Sequence, residues 1–236
     1  MSDQSSPDDQ RSYSASTQGT ARHHGRLTDS RVSGAAIARL IVISGPSGAG
    51  KGTIINGAIA RLDGIKLSVS ATTRARRPEE REGREYFFLT REEFQSRAEA
   101  GWFLEWAEYA GNLYGTPLWA LQEDLDLGFD VILEIELCGA EQVLSMRPEA
   151  VMIYIMPPSL EELERRLRGR DTETEEAILS RLDRAQEEIA IVQDKVRQGL
   201  PPMHYAIVND SQERASDQLA EIIELTRMRD EQADSR

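Results

Sequence analysis

Cysteine and long apolar stretches are nearly absent from this chain. Its 236 residues include one cysteine, Cys138, which excludes an internal disulfide and fits a reducing, cytoplasmic location. No apolar segment approaches the roughly 20 residues that a membrane-spanning helix needs, so no membrane partner is expected. Because a catalytic thiol needs a neighbouring base that no motif supplies, we interpret Cys138 as a packing residue.

Positive charge is the next shortage. Lys and Arg number 28 against 41 Asp and Glu, which gives a formal net charge of −13. A surface with this balance repels DNA and RNA, so a nucleic-acid partner is not expected. A phosphorylated ligand would therefore be a small molecule that meets a few concentrated arginines and lysines.

Bulky apolar residues are scarce in residues 1–36, which contain eight serines. This composition predicts a disordered tail. A targeting segment is the alternative, but no apolar stretch for secretion is present, and Asp3, Asp8 and Asp9 are unusual in an organellar transit peptide. The remainder, 37–232, is long enough for one compact domain.

A strand, a glycine-rich loop and the start of a helix follow one another in residues 40–53, LIVISGPSGAGKGT. The four apolar residues that open the segment predict a buried parallel strand. Gly45, Gly50 and Lys51 then form G-x-x-x-x-G-K, a spacing in which backbone N–H groups surround phosphate and the lysine adds positive charge. The sequence predicts a nucleotide phosphate-binding loop; a glycine-rich turn without a ligand is the alternative.

One position of this loop departs from the usual pattern. A Ser or Thr normally follows the lysine and meets Mg²⁺, whereas Gly52 stands here and the hydroxyl falls on Thr53. The variant GKGT looks like that of the adenylate kinases. We expect Mg²⁺ to be held through waters, with Thr53 and Glu134 as the candidate contacts.

Strands alternate with helices along the rest of the chain. Apolar segments predict further strands at 65–70, 130–136, 151–156 and 206–208, with helices between them. This order predicts an α/β fold of the P-loop NTPase type, a parallel five-stranded sheet with helices on both faces. Thr116 and Pro117 are interpreted as the start of one helix. The last helix is expected to dock through Leu219, Ile222, Ile223 and Leu225.

Two segments interrupt this alternation. Residues 78–116 combine short strands, turns and aromatic side chains, which predicts a small mixed insertion over the site between core segments 37–77 and 117–232. Residues of about 164–182 join two arginine-bearing helices, which is typical of a lid. Helix-surface charge paired with the many glutamates is the alternative interpretation of those arginines.

Charged residues follow two of the predicted strands. Arg74, Arg76 and Arg77 lie at the rim where open α/β sheets bind ligands, although a solvated charge cluster is the alternative. Glu134 and Glu136 end the third strand on one face. Carboxylates beside a phosphate loop commonly hold Mg²⁺ waters or a base, and a solvated strand end is the alternative.

The chain resembles the guanylate kinases from about residue 40 to 227. The resemblance rests on ISGPSGAGKGT, LSVSATTR, GREYFF, FLEWAEYAGNLYGT, EIELCGA, PPSLEELERRLRGR and YAIVND, in the family's order. It implies transfer of the ATP γ-phosphoryl group to GMP, with Mg²⁺ as cofactor, ATP and GMP as the substrates, and the insertion as the GMP-binding segment.

The resemblance also implies residue roles. The ATP-binding residues would be Gly45, Ser47, Gly48, Ala49, Gly50, Lys51, Gly52, Thr53 and Asn209, the last near adenine. The guanine contacts would be Ser70, Glu105, Thr116 and Glu136, and the GMP phosphate contacts Arg74, Arg77, Tyr86 and Tyr114. The catalytic residues would be Lys51, Arg74, Arg166, Arg170 and Arg181, of which the last three are lid arginines.

Three positions besides Gly52 differ from the family. Glu134 and Glu136 stand where Asp is more common, and Asp171 replaces a glycine of the lid turn. Two other functions remain open: a non-catalytic guanylate-kinase-like binding module, and a kinase for another nucleoside monophosphate. The oligomeric state is open between monomer and homodimer.

Overall fold

The structure, a computed structural model, describes residues 38–109, 111–169, 174–198 and 204–234. The predicted tail, 1–36, lies outside them. The strands are β1 (Leu40–Ser44), β2 (Ile65–Leu67), β3 (Ala71–Thr72), β4 (Phe87–Phe88), β5 (Phe103–Tyr109), β6 (Asn112–Pro117), β7 (Asp130–Glu134), β8 (Val151–Met156) and β9 (Tyr205–Val208). The helices are α1 (Lys51–Ile59), α2 (Arg91–Glu99), α3 (Leu118–Asp126), α4 (Leu137–Met146), α5 (Leu160–Arg168), α6 (Glu175–Gln198) and α7 (Gln212–Asp234).

The central sheet has five parallel strands in the order β2-β7-β1-β8-β9. Alternate residues of β1 face opposite layers: Ile41 and Ile43 pack with α1 and α7, whereas Leu40 and Val42 pack with α3 and α4. Helices therefore cover both faces, and the predicted α/β fold is confirmed. No helix in the described ranges is both long and apolar enough to cross a bilayer.

The register brings three strand ends level. Ile43 is paired with Glu134 of β7, and Ser44 with Tyr154 of β8. Because parallel strands share one carboxyl edge, the loop after β1 and the carboxylate that ends β7 must lie side by side. This edge holds the candidate site.

A second, mixed sheet has the order β4-β3-β6-β5. Strand β3 of this sheet lies before residue 78, where the insertion was predicted to begin. It follows directly after the predicted strand 65–70 in the sequence. That strand ends at Leu67, since the chain then leaves the central sheet, and Ala71 and Thr72 pair with β4 and β6. Both residues are fully buried there, so they belong to the interior of a different sheet.

Two sequence interpretations at helix ends are wrong. Thr116 lies in β6 and does not cap α3; the residue before that helix is Pro117, which provides no side-chain cap. Leu225 is 44% exposed, although Leu219, Ile222 and Ile223 are buried as expected. Helix α7 continues to Asp234, and Leu225 lies on its solvent side.

The two lid helices share a small core of Leu163, Leu167, Ile178 and Ala185. The hydroxyl of Ser159 accepts a hydrogen bond from the Glu162 N–H at 3.2 Å, so Ser159 caps α5. The Glu162 carboxylate instead accepts hydrogen bonds from Arg165 and Arg166. Residues 170–173, which include Arg170 and Asp171, lie outside the described residues.

The insertion has its own hydrophobic core, and substitution of Phe94 tests how much this core stabilises the protein. Phe94 is fully buried and stacks on Phe103 with a centroid distance of 4.4 Å. Phe94→Ala should lower the free energy of unfolding by about 3 to 5 kcal/mol, because it leaves a cavity. Leu127→Ala, at a side chain 64% exposed, should change it by less than about 0.5 kcal/mol. Urea unfolding measures both, and equal effects would contradict this core.

Candidate functional site

The loop between β1 and α1 approaches other backbone too closely for side chains. Gly45 has φ +149°, and a Cβ there would lie 2.2 Å from the Ile155 carbonyl oxygen of β8. Gly50 has φ +92°, and its Cβ would lie 2.5 Å from Asn209 Nδ2. Both conformations favour glycine, and they turn the loop towards the N-terminus of α1, as phosphate binding requires.

Lys51 is folded over this loop. Its Nζ donates a hydrogen bond to the Gly45 carbonyl oxygen at 2.5 Å. Ser47, Gly48 and Ala49 complete the turn, and Ala49 is fully buried. The lysine therefore lies over the loop that the spacing predicted and donates to the loop's own carbonyl; its contact with phosphate stays a prediction.

Two side chains fix the Ala49 carbonyl from outside the loop. Asn209 Nδ2 donates to it at 2.7 Å, and Arg166 Nη1 does so at 3.3 Å. Arg166 also donates to the Asn209 carbonyl oxygen at 2.9 Å and to Glu162 at 2.8 Å. Asn209 is only 1% exposed. Arg166 and Asn209 thus connect α5 and the end of β9 to the loop, a positioning role that sequence reasoning missed.

A second cationic region follows β3. Arg74 Nη2 contacts Glu80 Oε1 at 2.7 Å, and the Arg77 N–H donates to Glu80 Oε2 at 2.9 Å. The hydrogen bond from Arg74 lowers the pKa of Glu80, and the same bond raises the pKa of Arg74. Glu80 is 8% exposed and was missed, although the sequence ATTRARRPEE places it directly after the arginines.

Tyrosines of the insertion lie beside this arginine. The Arg74 guanidinium is 5.4 Å from the centroid of the Tyr86 ring, and Tyr86 is 6.1 Å from the Tyr114 ring. Burial raises the pKa of Tyr86, so its hydroxyl stays a donor at neutral pH. Arg74, Tyr86 and Tyr114, three of the four residues predicted to contact the GMP phosphate, therefore lie together. The fourth, Arg77, lies three residues after Arg74, and its side chain is exposed.

Glu105 is a buried carboxylate of the insertion. It is 5% exposed, and the Thr116 hydroxyl donates to its Oε1 at 2.7 Å. Burial raises its pKa from 4.5 to about 7. A Cβ at Gly139, in the first turn of α4, would lie 2.6 Å from Glu105 Oε2. Gly139 was missed by sequence reasoning, since nothing local marks a helical glycine as the neighbour of a carboxylate.

Glu134 and Glu136 link the two halves of the site. A Cβ at Gly52 would lie 3.6 Å from Glu134 Oε2. Enclosure by protein raises the pKa of Glu134 although part of its surface is exposed; the Lys51 charge opposes this shift and the Glu136 charge adds to it. Glu136 precedes α4. Its charge also raises the pKa of Cys138, as does the Glu105 charge.

Metal binding has limited support from protein groups alone. Within the residues that the structure describes, no group of three or more His, Cys, Asp or Glu could hold a metal ion. Thr53 is exposed on α1, one residue and about 100° around the helix from Gly52. Glu134 is therefore the carboxylate that fits an ion bound mainly by phosphates and water, the usual arrangement for Mg²⁺.

A groove of about 380 Å³ lies between β5, the start of α4 and the middle of α6, and its lining includes Glu136, Cys138 and Glu188. Arg184 of α6 lies over the Tyr109 ring of β5 at 5.2 Å.

Ser70 is one residue before β3, and its carbonyl accepts from the Phe87 N–H at 2.9 Å. Sequence reasoning also missed Glu188 of the groove, because its local sequence does not distinguish it from surface glutamates.

Comparison with known proteins assigns the family. A family model described as guanylate kinase matches residues 37–226. The chain belongs to the guanylate kinase family. A guanylate kinase from Rubrobacter xylanophilus is 52% identical over 185 residues, which cover 78% of this chain and 93% of that protein. One from Streptococcus thermophilus is 48% identical over 191 residues, which cover 80% and 88%.

A solved structure agrees with this family. The crystal structure of guanylate kinase from Anaplasma phagocytophilum has a TM-score of 0.63 with this chain at 34% identity, covering 82% of this chain and 88% of that one. The family predicted from the sequence, and with it a kinase, is confirmed.

Neighbouring glycines offer a matched test of the loop. Gly50→Ala should lower the free energy of unfolding by about 2 kcal/mol or more, because the Cβ meets Asn209 and the backbone has positive φ. Gly52 lies in α1, and Gly52→Ala should instead stabilise by up to about 1 kcal/mol. Urea unfolding measures both changes. If the two variants are equally stable, the described loop geometry is incorrect.

The raised pKa of Glu105 predicts a pH-dependent stability. The folded state favours the protonated carboxyl, so this stabilisation is complete below pH 4.5 and is lost as pH rises through about 7. Glu105→Gln removes the ionisation and should gain up to about 3 kcal/mol over the natural protein between pH 5 and pH 8. Urea unfolding without nucleotide measures this difference. Glu123→Gln, at an exposed residue of α3, serves as the control, and a constant difference for Glu105→Gln would refute the shift.

Proposed function

We propose that the protein transfers the γ-phosphoryl group of ATP to GMP, and less efficiently to dGMP, giving ADP and GDP or dGDP. The observation that carries this proposal is the buried Glu105 carboxylate, which accepts a hydrogen bond from Thr116 in the mixed sheet. The Glu136 charge adds to the effect of burial that raises the pKa of both Glu134 and Cys138, and the Glu105 charge also acts on Cys138.

Guanine recognition follows from hydrogen-bond chemistry. Guanine has donors at N1 and at the exocyclic N2, and one carboxylate can accept from both, whereas adenine offers neither. Loss of two charge-assisted hydrogen bonds costs about 3 to 6 kcal/mol. Glu105 is suited to this role because Thr116 donates to Oε1 and Gly139 has no side chain that would clash with Oε2. Ser70 and Glu136 would complete the contacts to the base.

Positioning and charge would supply the catalysis. Phosphoryl transfer passes through a loose transition state whose charge is spread over the phosphoryl oxygens. Lys51 would leave the Gly45 carbonyl and neutralise the transferring phosphate, together with Arg166, Arg170 and Arg181 from the lid. Arg74, set by Glu80 and joined by Arg77, Tyr86 and Tyr114, would hold the GMP phosphate in line.

The cofactor of the proposed reaction is Mg²⁺ bound with ATP. When bound, it would neutralise phosphate charge. Glu134 fits a contact to its waters, since this carboxylate faces the start of α1 next to Lys51. Thr53 remains a predicted second contact. Asn209 would hold the loop around the ATP phosphates and lie near the adenine.

A coupled assay of ADP formation tests the substrate. With ATP and Mg²⁺, we expect turnover with GMP first, dGMP second, and little with AMP, CMP or UMP. Glu105→Gln should lower kcat/KM for GMP about 100-fold or more, because it replaces an acceptor by a donor, while the Kd for ATP stays unchanged. Equal turnover of AMP and GMP would reject guanine selectivity. Absence of a saturable ATP site would instead favour a non-catalytic binding module.

A further inference from the structure

Glu188 interrupts the buried stripe of α6. Ile178, Ala185 and Val192 recur at steps of seven residues and are 6%, 1% and 1% exposed. Glu188 lies three residues after Ala185 and four before Val192, a spacing that places it on the same face. An apolar side chain is expected at such a position, so a carboxylate there needs a reason other than packing.

One oxygen of the Glu188 carboxylate lacks a hydrogen-bond partner in the described part of the chain. Its Oε2 atom is buried and accepts no hydrogen bond there, and the same holds for the hydroxyl of Tyr154, a residue with no exposed surface. Burial raises the pKa of Tyr154, and the Glu188 charge adds to this shift. Buried polar atoms are nearly always satisfied. The unsatisfied Glu188 oxygen at the groove therefore indicates a ligand that brings a hydrogen-bond donor such as a hydroxyl group.

The surroundings locate that ligand group. The pKa of Glu188 is raised to about 7, chiefly by burial and also by the Glu136 charge, while the Lys51 and Arg184 charges oppose the shift. Glu188 thus lies within electrostatic reach of a residue proposed to meet guanine and of the lysine proposed to meet phosphate. Between the base and the phosphate of a nucleotide lies the ribose. Carboxylates that accept from ribose hydroxyls are a recurrent feature of nucleotide sites.

We propose that Glu188 accepts a hydrogen bond from a ribose hydroxyl of the acceptor nucleotide and thereby makes the enzyme select GMP over its deoxy analogues. This inference rests on the proposed function. It gives helix α6, which also carries a predicted lid arginine, a residue that recognises the sugar. Closure of α6 over the nucleotide would then depend on the sugar as well as on the phosphates.

Three acceptors and three variants test the proposal. GMP, 2′-deoxy-GMP and 3′-deoxy-GMP are compared by kcat/KM and by Kd in calorimetry. The natural protein should prefer GMP about tenfold over at least one deoxy analogue. Glu188→Leu should reduce that preference to less than about twofold, and Glu188→Gln should reduce it at least about threefold. Asp183→Asn, at an exposed acid of the same helix, should keep it.

The outcomes separate this inference from the proposed function. If the natural protein neither binds nor turns over GMP, the proposed function fails and the ribose contact with it. If it turns over GMP but shows no preference, or if both Glu188 variants keep the preference, only the ribose contact is wrong. Thermal unfolding shows that the variants are folded, and Glu188→Leu should melt no lower than the natural protein, since it completes an apolar stripe. A structural role alone would lower the melting temperature and leave the ratio unchanged.

Discussion

The close approach of the β1–α1 loop to the ends of β8 and β9 is the constraint on which this structure depends. Gly45 lies against the Ile155 carbonyl, and Gly50 lies against Asn209, with no space for a side chain at either. Asn209 and Arg166 then hold the Ala49 carbonyl. Lys51 would first leave the Gly45 carbonyl, whereas the N–H groups of the loop are arranged before any ligand binds, because the loop is fixed from three elements. Preorganised donors of this kind need no rearrangement when charge develops during a reaction.

An acidic protein that binds anions must concentrate its cations. The net charge of −13 coexists with arginines whose geometry is set by single glutamates, Arg74 by Glu80 and Arg166 by Glu162. Other carboxylates lie in the cleft with raised pKa values, notably Glu105 and Glu188 near 7. Burial of a carboxylate costs stability unless a partner is supplied. Burial of these groups therefore destabilises the free protein, and substrate binding can offset this destabilisation.

Much of the fold was predictable because its signals are local. The strand and loop at 40–53, the strand Val151–Met156 and the cap at Ser159 follow from neighbouring residues, and the structure has them. The errors arose where partners are distant. Thr116 resembles a helix cap, yet it pairs in β6 and donates to Glu105. The predicted strand 65–70 ends at Leu67, and the next strand, Ala71–Thr72, joins another sheet. Leu225 was expected to dock but faces solvent.

The sequence by itself determined the α/β architecture and the glycine-rich loop, since glycine spacing and hydrophobic period act within a few positions of the chain; the family followed from the resemblance of its motifs. Only the tertiary structure decided which side chains meet. Glu80 under Arg74, Gly139 against Glu105 and Glu188 near Lys51 each join residues that local patterns do not connect. Their contacts depend on how the sheet, the insertion and the lid pack together. A charged residue far along the chain shows its partner, or its lack of one, only after folding.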